Sequence, residues 1–426
     1  MSAMHPLWPF FVPPHEQDDP QIRLESAHGV RVRLTDGSTL LDGTSGLWNT
    51  NLGYGNAAIA RACAEALQTA SYLSTFRFES VHARRAAQAL VDVTGDVYAR
   101  VLFSTSGSAA NDLVMKLARH YQVLGGQPRR QLVVGLRDSY HGLTYGSFSL
   151  TGEDLGQALY GVDRRLVRHT APNDLDELST LLAHQGHLVA AVVVEPMLGT
   201  GAVPLTDEFV RALLAARDEH GFLLVADEVA TGFGRTGSLF ASDRWPARPD
   251  VLLTSKALTN GTSATSAVLV SEDVARRFHD SGAVFVHGET QAGSPVAAAA
   301  VVATLEEMER LDAVALGHQV SAGLDVGIAA LQRSDQRVTE TRGVGCFRAV
   351  DVLDDDGEPL DPHAVGALVR AVRRAGAIVH PGVGGIQVVP ALTSTPADVA
   401  ELFDRVSEGL AELTASSALT VATTPP

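Results

Sequence analysis

The spacing of apolar and polar residues predicts helices that alternate with short buried strands over most of the chain. Three segments show the amphipathic periodicity of helices: 57–70, 81–94 and 109–123. Short apolar runs typical of buried strands lie at 101–103, 132–136, 189–194, 222–226, 251–253 and 264–270. This alternation predicts an α/β fold with a largely parallel sheet and helices on both of its faces.

The two ends of the chain show different patterns. Near the start, Thr35-Asp36-Gly37-Ser38 lies between two apolar stretches and predicts a β-hairpin. After Pro295 the pattern predicts two helices, strands at 347–353 and 386–389, and a final helix at 397–413. A chain of 426 residues also exceeds the usual size of a single hydrophobic core. We therefore expect a second, smaller α+β lobe.

Charge and composition narrow the class of protein. The formal net charge is −16 and no segment is rich in lysine and arginine, so we expect no nucleic-acid partner and no anionic membrane partner. No segment combines the length and the lack of charge expected of a membrane span. Cys63 and Cys346 lack the spacing of a zinc site or a disulfide framework, and we expect no bound metal. These features predict a protein of the reducing cytoplasm.

Lysine is almost absent from this chain, which contains only Lys116 and Lys256. Lys116 lies in a predicted helix and is expected to face solvent. Lys256 comes shortly after the apolar run 251–253, and Asp227 directly follows the run 222–226, so both are expected at the sheet edge where α/β folds bind ligands. A lysine amine can hold pyridoxal phosphate as a Schiff base, and an acid can keep the pyridine nitrogen protonated. Each residue alone is compatible with an ordinary surface position, but the pair predicts this cofactor.

A turn rich in serine and glycine offers a site for the phosphate group. Ser106, Gly107 and Ser108 follow a predicted strand and begin a predicted helix, whose free N–H groups favour an anion. The same pattern is common in simple helix N-caps, so the turn is weak support by itself. It becomes informative only together with the lysine and the acid.

Two further groups lie at the ends of predicted strands. Tyr140 and His141 occupy the loop after the run 132–136, and the tyrosine ring could stack on a cofactor. A partly buried loop tyrosine is the plainer explanation. Glu195 directly follows the run 189–194 and adds another acid at the same sheet edge.

One motif favours a different cofactor. Gly232, Gly234 and Gly237 match the G-x-G-x-x-G pattern of dinucleotide-binding enzymes, which would make the protein an NAD-dependent oxidoreductase. The first glycine, however, lies several residues after the predicted strand, and no helix clearly begins after the last. The nicotinamide alternative therefore fits the sequence less well.

Taken together, the motifs resemble those of class III pyridoxal-phosphate-dependent aminotransferases, in particular the ω-amino acid or amine:pyruvate branch. They follow the order of that family and span nearly the whole chain: Ser104 to Arg119, Tyr140-His141-Gly142, Val194-Glu195-Pro196, Asp227 to Gly237, Thr254-Ser255-Lys256 and His287-Gly288-Glu289-Thr290. The resemblance implies pyridoxal 5′-phosphate as the cofactor and a homodimer with its active site at the subunit interface.

The resemblance also implies the architecture called fold type I. A large domain with a mostly parallel seven-stranded sheet, flanked by helices, is expected at 57–296. A small α+β domain is expected at 297–426, and the N-terminal segment 1–56 is expected to belong to it.

Each site residue receives an expected role from the same resemblance. Three residues are expected to be catalytic: Lys256 forms the Schiff base and moves the proton, Asp227 pairs with the pyridine nitrogen, and Glu195 lies beside the substrate. Tyr140 and Val229 are expected on opposite faces of the cofactor ring. The other expected cofactor contacts are Ser106, Gly107, Ser108, His141 and, from the other subunit, Thr290.

The substrate pocket is less well defined by the motifs. The segment around Trp48 resembles that of the amine:pyruvate branch, which implies that Trp48 lines an apolar pocket, although it could also anchor the N-terminal lobe. His380 and Gln387 stand where relatives carry an arginine that binds a substrate carboxylate. An α-keto acid then needs another partner, such as Arg77 or a mobile loop, or the substrate has no carboxylate next to the reacting carbon.

The resemblance therefore implies a transaminase with a ping-pong mechanism. It would move an amino group from an amine or ω-amino acid to a ketone, aldehyde or keto acid, and a natural-product or peptide ketone is one candidate acceptor. An aminomutase, an epimerase or a decarboxylase that uses the same cofactor is the alternative.

Overall fold

The computed structural model describes residues 5–17 and 19–422. Its first elements are β1 (Leu24–His28), β2 (Arg31–Leu34), β3 (Thr39–Asp42) and the short helix α1 (Ser45–Trp48). Strands β2 and β3 pair antiparallel across the Asp36–Gly37 turn, which confirms the predicted hairpin. The turn is closed by Asp36, whose carboxylate accepts the backbone N–H of Ser38 at 2.8 Å.

The central part of the chain forms one seven-stranded sheet and the helices around it. In chain order its elements are α2 (Ala57–Thr69), α3 (Val81–Val93), β4 (Tyr98–Ser104), α4 (Gly107–Leu124), β5 (Leu132–Leu136), α5 (Tyr145–Leu150), β6 (Val167–Thr170), α6 (Leu175–Gln185), β7 (Val189–Val194), β8 (Met197–Leu198), β9 (Val203–Pro204), α7 (Asp207–His220), β10 (Leu223–Asp227), β11 (Val251–Thr254), β12 (Ser266–Ser271) and α8 (Glu272–Ser281). The sheet has the order β4-β12-β11-β10-β7-β5-β6, and only β12 runs antiparallel to its neighbours. The predicted α/β fold with a mostly parallel seven-stranded sheet is confirmed.

The sheet is buried on both faces because its strands are apolar throughout. Every residue of β7 is buried, for example. Alternate side chains of β7, such as Val193 and Val192, pack on opposite faces, the first against α4 and α8 and the second against α6 and α7. Since β10 and β11 are adjacent and parallel, with Asp227 opposite Leu253, their carboxyl ends bring Asp227 close to Lys256.

The last part of the chain is a smaller α+β unit. Its elements are α9 (Pro295–Arg310), α10 (Ala313–Ser334), β13 (Val338–Val344), β14 (Phe347–Val352), α11 (Pro362–Ala375), β15 (Ala377–Ile378), β16 (His380–Pro381), β17 (Gly385–Val388) and α12 (Pro396–Ala422). Strand β15 pairs with β3, so the N-terminal sheet includes a strand from this unit. This pairing agrees with an N-terminal segment that belongs to the small domain, whose boundaries stay a prediction.

One helix of the smaller unit is unusually apolar. Within the described residues, α10 passes a test for crossing a membrane by length and composition alone, although it contains Asp325 and Arg333. Its residues Val320, Leu324 and Ile328 are buried in a core cluster that α12 also joins. The apolar character of α10 therefore has a role in packing within the fold.

Candidate active site

Asp227, the last residue of β10, is fixed by groups from three segments. Its Oδ2 accepts a hydrogen bond from Asn111 Nδ2 in α4 at 2.8 Å and lies 2.7 Å from His141 Nδ1. Its Oδ1 accepts the backbone N–H of Val229 at 3.1 Å. Burial lowers the pKa of His141, but the hydrogen bond and the charge of Asp227 outweigh it and raise the pKa overall. Asp227 is thus a buried carboxylate held in one orientation.

Lys256 begins the turn that follows β11 and has a left-handed backbone conformation with φ +44°. Its Nζ lies 4.7 Å from the centre of the Trp48 ring. Among the described residues, no hydrogen-bond partner of Nζ is found. Burial lowers the pKa of the amine, while the charges of Glu195 and Asp227 act in the opposite direction. The result is an amine that loses its proton more easily than an ordinary lysine.

Glu195 follows β7 and is buried beside these groups. Its Oε1 accepts the backbone N–H of Tyr140 at 2.9 Å, and its Oε2 accepts that of Gly199 at 3.0 Å. Burial raises the pKa of Glu195 to about 7, and the charge of Asp227 adds to that effect. Glu195 therefore holds in place the loop that carries Tyr140 (the tyrosine loop). Its carboxyl group can also take up or release a proton near neutral pH.

The serine and glycine turn lies at the start of α4, as predicted. The hydroxyl of Ser106 caps the helix and accepts the N–H of Ala109 at 3.1 Å, so its side chain has the ordinary N-cap contact. A Cβ on Gly107 would come within 3.2 Å of the Val229 side chain. Ser108 Oγ accepts the N–H of Leu143 at 3.3 Å and so joins the turn to the tyrosine loop. A side chain at position 107 would therefore crowd Val229 where the turn meets it.

The two residues expected on the faces of the cofactor ring come from different loops. Tyr140 is 38% exposed, its backbone N–H donates to Glu195, and the side chain of the next residue, His141, contacts Asp227. Val229 packs against the turn at Gly107. Both residues therefore adjoin groups already placed at the site, and their stacking roles stay a prediction.

Trp48, His380 and Gln387 lie together next to Lys256. The Trp48 ring packs 4.8 Å from that of Phe347 and 5.0 Å from that of His380, measured between ring centres. His380 in β16 is paired with Gln387 in β17, and the Gln387 amide donates to Gly199 O at 2.8 Å. Burial lowers the pKa of His380 to about 4, and the charge of Lys256 lowers it further. Trp48, His380 and Gln387, the predicted substrate residues, thus form one cluster of uncharged side chains.

The loop that carries Thr290 contacts the chain directly before the serine and glycine turn at 106–108, which is the predicted phosphate site (the phosphate turn). Thr290 is exposed, and the carboxylate of its neighbour Glu289 accepts the backbone N–H of Thr105 at 3.1 Å. Lys116 is exposed as predicted, but its Nζ also donates to Val286 O at 2.9 Å. Within one chain, this loop therefore lies beside the start of α4, with Thr290 open to contact from outside.

Two residues important for this geometry were missed in the sequence. Asn111 orients Asp227, and an asparagine one helical turn after Gly107 was the only signal available. Arg235 is completely buried, and burial lowers its pKa to about 10. Its guanidinium donates to Ser45 Oγ at 3.2 Å and to Cys346 O at 3.3 Å, and also to Asn51 Oδ1 and Pro390 O. Only the folded chain brings these acceptors together.

The glycine motif at 232–237 does not have the structure of a dinucleotide-binding site. The segment forms a series of turns, with Gly234 at φ +84° and Gly237 at φ +90°. It is followed by the short 3-10 helix Ala241–Arg244, and the described residues between 228 and 245 contain no α-helix. A helix N-terminus for the pyrophosphate is therefore missing.

Comparisons with known proteins agree with this geometry. The family model for class III aminotransferases matches residues 12–410, and the chain belongs to that family. It is 29% identical over 422 residues to the ω-amino acid–pyruvate aminotransferase of Pseudomonas putida, with 93% of each chain covered. It is 34% identical over 363 residues to the adenosylmethionine-8-amino-7-oxononanoate aminotransferase of Mycobacterium leprae, covering 80% of this chain and 83% of that one.

A solved structure shows the same overall fold. The PLP-bound amine transaminase from an uncultivated Pseudomonas species superimposes with a TM-score of 0.90 at 28% identity, covering 97% of this chain and 99% of that chain. The protein is thus a class III, fold type I aminotransferase that uses pyridoxal phosphate.

The residues present fit this cofactor. Lys256 supplies an amine without a hydrogen-bond partner in the described part of the chain, and Asp227 supplies an oriented carboxylate. The turn at Gly107 is tightly packed against Val229 and offers the N-terminus of an 18-residue helix to a phosphate. Amine, acid and anion site all lie at the carboxyl edge of one sheet.

Proposed function

We propose that this protein is a transaminase that works by a ping-pong mechanism through Lys256. It would take the amino group from an amine or ω-amino acid and give it to a ketone, aldehyde or keto acid, with natural-product and peptide ketones among the acceptors to be screened. The observation that carries the proposal is the Lys256 amine, which has a lowered pKa and lies 4.7 Å from Trp48 near two buried acids. When bound, pyridoxal phosphate would supply the electron sink for this chemistry.

Lys256 would do two things in this reaction. Its Nζ would hold the cofactor covalently in the resting enzyme and, once displaced by an incoming amine, would move the proton at the reacting carbon. Both tasks need the neutral amine for part of the cycle, and the lowered pKa provides it. Glu195, whose pKa is raised to about 7 by burial, would be available to exchange a proton with this amine or with the substrate.

The other residues would bind and orient the cofactor. Asp227 would keep a proton on the ring nitrogen, and its contacts with His141 and Asn111 would hold the carboxylate in place for that purpose. Tyr140 and Val229 would cover the two faces of the ring. The phosphate would be bound by residues of the α4 turn and by one residue of a second subunit: Ser106, Gly107, Ser108 and Thr290.

A half-reaction separates transamination from the alternative reactions of the family. Purified holoenzyme mixed with 1-phenylethylamine, without an acceptor, is expected to convert its bound cofactor to pyridoxamine phosphate in a one-to-one ratio. Adding a carbonyl acceptor should restore the original absorption, and initial rates with both substrates varied should give parallel double-reciprocal lines. Racemisation, rearrangement or carbon dioxide release without pyridoxamine phosphate would instead favour an epimerase, an aminomutase or a decarboxylase.

We further propose that the active site forms in a homodimer. Large apolar side chains on segments next to the phosphate turn and the Thr290 loop are exposed in the single chain: Phe78 at 74%, Tyr145 at 68%, Val284 at 78% and Val286 at 78%. We expect these side chains to form a patch, and exposed apolar patches are typical of protein interfaces. Burial of these side chains by a second copy would place Thr290 at the partner's phosphate site.

Mixed dimers test this arrangement. Thr290→Asp places a carboxylate where the phosphate would bind, and Lys256→Ala removes the amine, so each variant alone is expected to be inactive. If Thr290 serves the partner's site, a mixed dimer contains one site with both native residues, and about half the wild-type activity per dimer should return. If Thr290 serves its own subunit, no site in the mixture is intact and no activity returns.

We place the protein in the cytoplasm. Cys63 and Cys346 are both free and buried. Free thiols in the core are compatible with a reducing compartment, where disulfides are rare.

A further inference from the structure

The space beside the Lys256 amine is bounded by aromatic rings. Trp48 lies 4.7 Å from Nζ, and its ring packs against Phe347 and His380. Phe347 is completely buried behind it. A substrate whose reacting carbon approaches Lys256 therefore meets a flat, largely apolar surface, defined here as the Trp48 wall.

The polar groups next to the Trp48 wall are already engaged. Gln387 uses its amide N–H on Gly199 O at 2.8 Å, and Gly199 in turn donates its own N–H to Glu195 at 3.0 Å. A Cβ on Gly199 would lie 3.0 Å from the Trp48 ring and 3.3 Å from Glu195 Oε2, so the acid is close to the wall. A carboxylic acid, Glu195, therefore lies near the wall.

No cation is free to bind a carboxylate at this wall in the part of the chain that the structure describes. Among the described residues, the charge of Lys256 lowers the pKa of His380, and the charge of Arg235 lowers the pKa of Lys256. Arg235 is completely buried, and both of its terminal nitrogens donate to neutral oxygens. The Lys256 amine would be bonded to the cofactor and so would not be available to a substrate carboxylate.

His380 does not supply a positive charge either. Burial and the charge of Lys256 lower its pKa to about 4, so the imidazole is neutral at pH 7. A carboxylate placed on the Trp48 wall would lose water, gain no counter-ion and face Glu195.

We infer that the subsite at the Trp48 wall selects amines and carbonyl compounds whose substituent there is uncharged, and rejects those that carry a carboxylate next to the reacting carbon. Rings and alkyl groups would pack against Trp48, and neutral esters would be accepted where the free acids are not. The inference rests on the proposed transaminase function and narrows its substrate class.

A pair of acceptors that differ only in charge tests the subsite. With 1-phenylethylamine as the donor, methyl pyruvate is expected to have a kcat/KM at least about tenfold above that of pyruvate, because only pyruvate brings a carboxylate to the wall. The donor half-reaction should show the same order, with 1-phenylethylamine ahead of phenylglycine. Equal values for the ester and the acid, or a preference for the acid, would overturn the inference.

A substitution at His380 tests whether the lack of a cation at the Trp48 wall is the reason that carboxylates are rejected. His380→Arg restores a permanent cation and is expected to raise kcat/KM for pyruvate about tenfold relative to methyl pyruvate, while the neutral control His380→Gln leaves the ratio unchanged. If wild-type enzyme prefers pyruvate and Arg77→Ala removes that preference, a cation from the exposed loop serves the site and the inference is wrong. Failure of both 1-phenylethylamine and an ω-amino acid donor to convert the bound cofactor, with or without an acceptor, would instead refute the transaminase function itself.

Discussion

Replacing Lys256 by alanine is expected to lower kcat by at least about 10³-fold without unfolding the protein. The variant loses both the covalent hold on the cofactor and the group that moves the proton, and each contributes a large factor to the rate. The fold should persist because Nζ has no hydrogen-bond partner among the described residues, and removing a buried amine with a lowered pKa relieves a desolvation cost. Steady-state turnover and thermal unfolding measure the two effects separately.

The scarcity of lysine gives this experiment a matched control. Reduction of the holoenzyme with borohydride should attach the cofactor to Lys256 alone, as mass spectrometry of the digested protein would show. Lys116→Ala should keep the label, since that amine lies on α4 and contacts Val286 O. Two results would contradict the assignment of Lys256 as the residue that holds the cofactor. One is multiple-turnover transamination by the Lys256→Ala variant. The other is a cofactor label that remains in Lys256→Ala but is lost in Lys116→Ala.

Replacing Asp227 by asparagine is expected to lower kcat by about 10²- to 10³-fold while the cofactor still binds. Asparagine has the same shape but no charge, so the ring nitrogen would lose the group that keeps it protonated. His141 would also lose the carboxylate that raises its pKa, so the pKa of His141 should fall. The absorption spectrum of the bound cofactor, followed against pH, reports this change independently of turnover.

Asp250→Asn provides the comparison for Asp227→Asn. Asp250 is a half-buried acid that accepts the N–H of Leu224 at 2.8 Å, and it lies directly before β11, at the opposite end of the strands from Asp227. Its replacement should affect stability and leave the cofactor spectrum unchanged. If both substitutions shift the spectrum alike, or if Asp227→Asn keeps wild-type kcat, Asp227 does not act on the cofactor.

Much of the large domain could be predicted because its strands are uninterrupted apolar runs. β5 and β7 begin and end at the predicted residues. Asp227 stands directly after one apolar run, and Lys256 stands shortly after another. β6 was missed, since its sequence Val167-Arg168-His169-Thr170 has polar side chains that are half-buried at the sheet edge. Periodicity identifies buried strands better than edge strands.

The details of the site depend on contacts between distant parts of the chain. Trp48 meets Lys256 across 208 residues of sequence, and no spacing rule relates them. The Asn111 contact with Asp227 and the amide contact of Gln387 with Gly199 O are likewise products of the folded chain. Sequence motifs could identify which residues take part, while their hydrogen-bond partners and shifted pKa values required the structure.

The buried guanidinium of Arg235 also bears on how the protein folds. Its neutral acceptors come from Ser45 and Asn51 near the N-terminus and from Cys346 and Pro390 near the C-terminus. If either terminal region detached, the charge would remain in an apolar interior without its partners, at a cost of several kcal/mol. The segment that carries Trp48 and the C-terminal unit should therefore melt together with the central sheet, in a single cooperative transition.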